Sequence, residues 1–169
     1  MRTFGSTRLR HSCFYPSVPA KGPFLKYWLP VIAWMALIFA ASTDLMSSQR
    51  TSRIIGPLLR WLFPNISEGA IRAVQTVVRK GAHLTEYAVL ALLLWRARRQ
   101  PVKHDTRPWS WREAALTIFL AGLFAATDEL HQAFVATRFA SALDVLLDTS
   151  GAALGMLGLW RCGRRLKQW

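Results

Sequence analysis

Long apolar runs alternate with short basic stretches along this chain. The first run extends from about Leu25 to Ser42, through WLPVIAWMALIFAAS. The second extends from about Thr76 to Trp95 and closes on EYAVLALLLW. A third covers about Trp111 to Glu129, and a fourth about Ser141 to Trp160. At about 1.5 Å per residue, each is near the length needed to cross about 30 Å of hydrocarbon. The pattern predicts an all-α, polytopic membrane helix bundle with four transmembrane helices. Between the first two runs, Arg53 to Phe63 mixes Ile, Leu, Trp and Phe with Arg, and Pro57 interrupts it. That stretch predicts a surface helix in the first outer loop. Ser67 has the character of an N-cap, so IRAVQTVVRK is expected to form one helix running into the second span.

Composition sharpens this picture. The chain has 169 residues, 52% of them hydrophobic, and a formal net charge of +13. A nucleic-acid binder is also basic, but it does not alternate basic loops with membrane-length apolar spans. No nucleic-acid partner is expected. Trp28, Trp61, Trp95, Trp109, Trp111 and Trp160 fall at or near span ends, as an aromatic belt requires. Fifteen of the 22 basic residues lie in the N-terminal segment, the second connection and the tail. This bias places both termini in the cytoplasm of a bacterial inner-membrane protein. The expected organisation is a mobile basic segment over 1–24, a transmembrane domain over 25–160 and a basic tail over 161–169. The first span is read as a retained helix, because no small-x-small cleavage site follows it. Cys13 and Cys162 stand in no CxxC pair and near no His at ligand spacing, so they read as free thiols. No cofactor and no metal are expected.

Ionisable residues inside such spans are the candidate chemistry. They are His83, Glu86, Asp128, Glu129, His131, Asp144 and Asp148. In lipid these groups are costly and normally face a bundle interior. Counted back from Trp95, His83 lies about 18 Å up its helix and Lys80 about 22 Å. Counted from Trp160, Asp148 lies about 18 Å up and Asp144 about 24 Å. Counted from Trp111, Asp128 lies about 25 Å up. His83 and Asp148 are therefore expected at one level, with Lys80 near Asp144 or Asp128 at another. Lys80, His83 and Tyr87 share one helical face at i, i+3 and i+7. Asp144 and Asp148 stand one turn apart, and Asp128, His131 and Gln132 follow at i, i+3 and i+4. Gly151, Gly155 and Gly158 form a small-residue strip suited to close helix approach, within the bundle or in a homodimer.

A buried ion network that only fixes helix register is the plain alternative. Replacing such networks with apolar residues is often neutral or stabilising, so stability alone accounts poorly for one this large. For the glycine strip, packing is the simpler reading. For the basic loops it is membrane topology.

RKGAHLTEYAVLALLLW and TDELHQAFVATRFASALDVLLDTSGAALG resemble the double motif of the VanZ-like family, over about Leu29 to Trp160. The matching positions are Lys80, His83, Glu86 and Tyr87, then Asp128, Glu129, Gln132, Phe134, Arg138, Asp144, Asp148 and Gly151. Two departures stand out. Ala136-Thr137 replaces the Pro-Gly that many members have before the motif Arg, and Asp148 stands where many have Asn. The resemblance implies a cell-envelope membrane protein of a family whose namesake lowers susceptibility to a glycopeptide antibiotic.

Three functions compete. The polar cluster of Lys80, His83, Glu86, Tyr87, Asp128, Glu129, Gln132, Arg138, Asp144 and Asp148 would bind an anionic membrane lipid or a lipid-linked envelope precursor at the outer leaflet. Alternatively, a membrane-embedded enzyme would use His83 or His131 as general base on a lipid-linked substrate, with a divalent metal conceivable on Asp128, Glu129 and Asp144. No GxSxG or HExxH motif names a nucleophile or zinc site, so catalysis ranks second to binding. An ion-coupled transporter ranks third, since four spans without an inverted repeat would need a homodimer.

Overall fold

Helix is the only regular structure among the described residues of the computed structural model, which are 24–42, 48–101, 107–134 and 141–166. Arg138, Ala136-Thr137, Cys13 and all of the N-terminal segment except Phe24 lie outside them. The helices are α1 (Phe24–Ala41), α2 (Ser48–Leu62), α3 (Glu68–Arg99), α4 (Trp111–Gln132) and α5 (Ala142–Arg165).

Local chemistry sets three of their ends. Ser67 caps α3 by accepting from the Ala70 amide at 3.2 Å. Ser110 caps α4 by accepting from the Glu113 amide at 3.3 Å. These contacts satisfy amides that a helix leaves open in its first turn. At the far end of α3, Gln100 adopts a left-handed conformation and its amide donates to the Arg96 carbonyl, which stops the helix. The expected continuity from IRAVQTVVRK into the second apolar run is what α3 displays.

Three helices are long and apolar enough to cross a membrane: α1, α4 and α5. α3, the fourth expected span, is not among them. It is the longest helix at 32 residues, but no 18-residue window of it carries fewer than three Asp, Glu, Lys or Arg. Arg79, Lys80 and Glu86 on one side, and Arg96 and Arg98 on the other, interrupt its apolar run. Yet α3 is the hub of the fold and packs against each of the other four helices. The outward faces of the three apolar helices carry Leu29, Ile32 and Leu37, then Leu116, Phe119 and Leu123, then Leu143, Leu146 and Leu154. Large exposed apolar faces on every outer helix are those of a protein solvated by lipid.

Small residues hold the interior close. Ala91, Ala97, Ala114, Ala121, Ala125 and Ala152 are all buried. A Cβ at Gly151 would fall on the Leu84 carbonyl oxygen and within 2.9 Å of the Leu84 Cα; one at Gly155 would come within 3.0 Å of the Ala88 Cα. The strip on α5 thus faces α3 in the same chain. Gly158 has nothing within 4 Å, so of the three glycines proposed for a homodimer face, two are already covered.

One end of the bundle is aromatic and basic. Trp95 stacks on Trp109 at 4.5 Å, Trp109 meets Trp111 edge-on at 5.5 Å, and Trp111 meets Trp160 at 5.2 Å. Arg96 lies over Tyr27, Arg99 over Trp95 and Arg164 over Trp160. Arg99 also donates to the Arg107 and Pro108 carbonyls, and Tyr27 donates to the Pro101 carbonyl at 2.7 Å. Amphipathic rings beside cationic side chains are what the boundary between hydrocarbon and headgroups favours.

Candidate functional site

The acidic residues gather at the opposite end, where α1 ends and α5 begins. α3 and α5 run parallel there, in fixed register. Arg79 and His83 stand one turn apart on α3, and Asp144 and Asp148 one turn apart on α5. Arg79 Nη2 lies 3.9 Å from Asp144 Oδ2, and His83 Nδ1 lies 3.2 Å from Asp148 Oδ1. Past these two ionic rungs, Leu84 meets Gly151 and Ala88 meets Gly155. The absence of a side chain at the glycines brings the helices close enough for the rungs above them to form.

The rungs differ in environment. Arg79 and Asp144 are partly open, with side chains 44% and 21% exposed. His83 is half-buried, and Asp148 is 1% exposed. The His83–Asp148 contact is an ion-pair distance without hydrogen-bond alignment, and neither Asp148 oxygen accepts a hydrogen bond from the protein. Buried carboxylates are normally hydrogen-bonded, so Asp148 is an exception that calls for an explanation.

α4 supplies the second half of the cluster. Asp128 Oδ2 accepts from Ser42 Oγ at 2.6 Å and from Gln132 Nε2 at 3.1 Å. Asp128 Oδ1 has no partner in the protein, although the residue is 1% exposed. Glu129, also buried, accepts from the Ser141 amide at 2.9 Å and so ties the start of α5 to the end of α4. Tyr87 is fully buried between these groups. Its ring lies 6.3 Å from that of Phe124, and its hydroxyl has no partner in the protein. Asp128, Asp148, Glu86 and Glu129 are its electrostatic neighbours. His131 packs its ring on Phe39 at 4.1 Å.

Of the expected constellation, His83, Tyr87, Asp128, Glu129, Gln132, Asp144 and Asp148 come together here. Glu86 sits half-buried on the same stretch of α3, where its carbonyl accepts from Trp34 Nε1 at 2.9 Å. Lys80 is exposed, and the base beside Asp144 is Arg79. The physical reason is helical phase: Arg79, not Lys80, stands a full turn before His83, matching the turn between Asp144 and Asp148. That spacing was a signal in the sequence. Ser42 was less legible, because a serine closing an apolar run carries no mark of a carboxylate partner. Among the described residues, no group of three His, Cys, Asp or Glu is placed to hold a metal ion.

The arrangement offers a partly open cation–carboxylate rung leading to buried carboxylates, an imidazole and a phenol. Comparison with known proteins agrees with the motif. The family model described as VanZ/LLP1 matches residues 27–163. No curated protein and no solved structure matches the chain. With the match spanning all four long helices and the whole polar cluster, the chain belongs to the VanZ/LLP1 family and is an integral membrane protein.

Proposed function

We propose that the polar end of the bundle binds the anionic group of an envelope lipid or lipid-linked envelope precursor. The observation that carries this reading is the paired ladder. A partly open Arg79–Asp144 rung sits one turn from a buried His83–Asp148 rung, on two helices locked together by glycine. Arg79 supplies a cationic donor at the mouth, and the family motif adds Lys80 and Arg138. Point-charge and bidentate cations of this kind suit phosphate oxygens.

The same reading makes α3 a fourth crossing element. Its about 48 Å length exceeds the hydrocarbon core. Its charges then lie either toward α1, α4 and α5 or beyond the lipid tails. The basic, aromatic end faces the cytoplasm by charge bias, with both termini there, and the polar end faces the outer leaflet of the plasma membrane.

A lipidomic comparison of purified wild type and Arg79→Gln tests this. The wild type should retain one anionic lipid class above its membrane abundance, and the variant should lose it while remaining as abundant in membranes. Retention in proportion to bulk lipid, or parallel loss of ligand and abundance, would reject the site.

The His83–Asp148 distance favours one second reading, acid–base catalysis on the bound lipid, since a carboxylate beside an imidazole is how enzymes orient and tune a general base. Turnover of the retained lipid by wild type and not by His83→Gln would select it.

A further inference from the structure

The deep part of this site is acidic beyond what the protein around it balances. Asp128, Glu129 and Asp148 are all buried. Among the described residues the one buried Lys or Arg is Arg99, at the other end of α3. The bases at this end are the half-buried His83 and His131 and the partly open Arg79. Buried carboxylates without compensating positive charge and hydrogen bonds are strongly disfavoured. Three acceptor groups also lack protein donors: the Asp148 carboxylate, Asp128 Oδ1 and the Tyr87 hydroxyl. Resting on the lipid-binding reading, we propose that this buried acidic cluster receives a primary ammonium group, so that the ligand is a phosphate-bearing lipid that also carries an amine.

The chemistry of the donors and acceptors selects that cation. An ammonium has three N–H donors and no acceptor, and α3, α4 and α5 each contribute an acceptor group without a protein donor. It answers the charge and the hydrogen-bonding deficit together. Protonating the carboxylates would answer only the charge. A divalent metal would need three convergent ligands, and no such group is present among the described residues. The tilted rings of Tyr87 and Phe124 add aromatic faces beside the site, which favour a cation. The layering then matches a zwitterionic headgroup, with its phosphate at Arg79 and its ammonium about one helical turn further in, beside Asp148. An aminophospholipid headgroup and an amine-bearing, lipid-linked wall precursor share this chemistry.

The test uses the full chain in detergent, titrated by native mass spectrometry with phosphatidylethanolamine, its N-acetylated form and phosphatidic acid. A parallel arm uses a lipid-linked muropeptide with its side-chain amine free or acetylated. We expect the free amine to bind about tenfold or more tighter than its acetylated form in at least one arm, the scale of hydrogen bonds to a charged group. Whichever arm discriminates identifies the source. Asp148→Asn should abolish the discrimination. Tyr87→Phe guards against misfolding of that variant. It removes a buried hydroxyl without a partner, so thermal stability should hold or rise while the amine preference falls several-fold. Equal binding of amine, acetylated and phosphatidic acid probes would overturn the ammonium site and leave the anion site standing. Failure of every probe to bind would overturn both.

Discussion

At the residue scale, Asp148 and Asp128 are alike in burial and opposite in company. Asp128 is held by Ser42 and Gln132, whereas Asp148 has only the misaligned imidazole of His83. Ser42→Ala should therefore lower stability by about 1 kcal/mol, by removing a donor from a buried carboxylate. Asp148→Asn should cost less, because that carboxylate accepts no hydrogen bond from the protein. Thermal unfolding of the two purified variants in detergent checks this. A larger loss for Asp148→Asn than for Ser42→Ala would mean that the His83–Asp148 rung is mainly structural. The residue identities of the cluster were largely legible, because ionisable side chains stand out within apolar runs. What was not legible was pairing that depends on helical phase, hence Arg79 in place of Lys80, and a partner as ordinary as Ser42.

At the element scale, the site depends on how closely α3 and α5 approach. Gly151 and Gly155 abut the backbone of α3, whereas Gly158 has open space beside it. Gly151→Ala would force the helices apart at the position next to the His83–Asp148 rung. It should destabilise the fold by about 1–3 kcal/mol, as overpacking does, and weaken lipid retention. Gly158→Ala should leave both unchanged. Equal effects at the two positions, measured by thermal unfolding and lipid co-purification, would contradict the register described for this pair. The positions of the helices were readable from apolar runs and serine caps. The standing of α3 was not, because hydropathy alone cannot tell a charged helix enclosed by neighbours from one lying outside the lipid.

At the scale of the whole molecule, the bundle has two chemically distinct ends. One is a belt of Trp and Arg, and the other is the carboxylate cluster where α1 ends and α5 begins. α2 turns Ile54, Leu58, Trp61 and Leu62 outward, as a helix lying in the interface does. If α3 crosses the membrane, engineered thiols at Asn65 and Arg112 lie on opposite sides. A membrane-impermeant reagent should label the thiol at Asn65 in intact cells and reach that at Arg112 only after lysis. Labelling of both from outside would remove α3 from the membrane, and the reverse pattern would invert the orientation.

The central claim is that the polar end is a ligand site and not only a brace between helices. It is tested most directly by measuring lipid retention and membrane abundance together for His83→Gln, Asp144→Asn and Asp128→Asn beside the wild type. The account predicts that abundance stays near the wild-type level while the retained lipid is lost, because functional sites are commonly less stable than they need be. Loss of lipid in strict proportion to loss of protein across all three variants would contradict it, and would leave the cluster as a structural ion network.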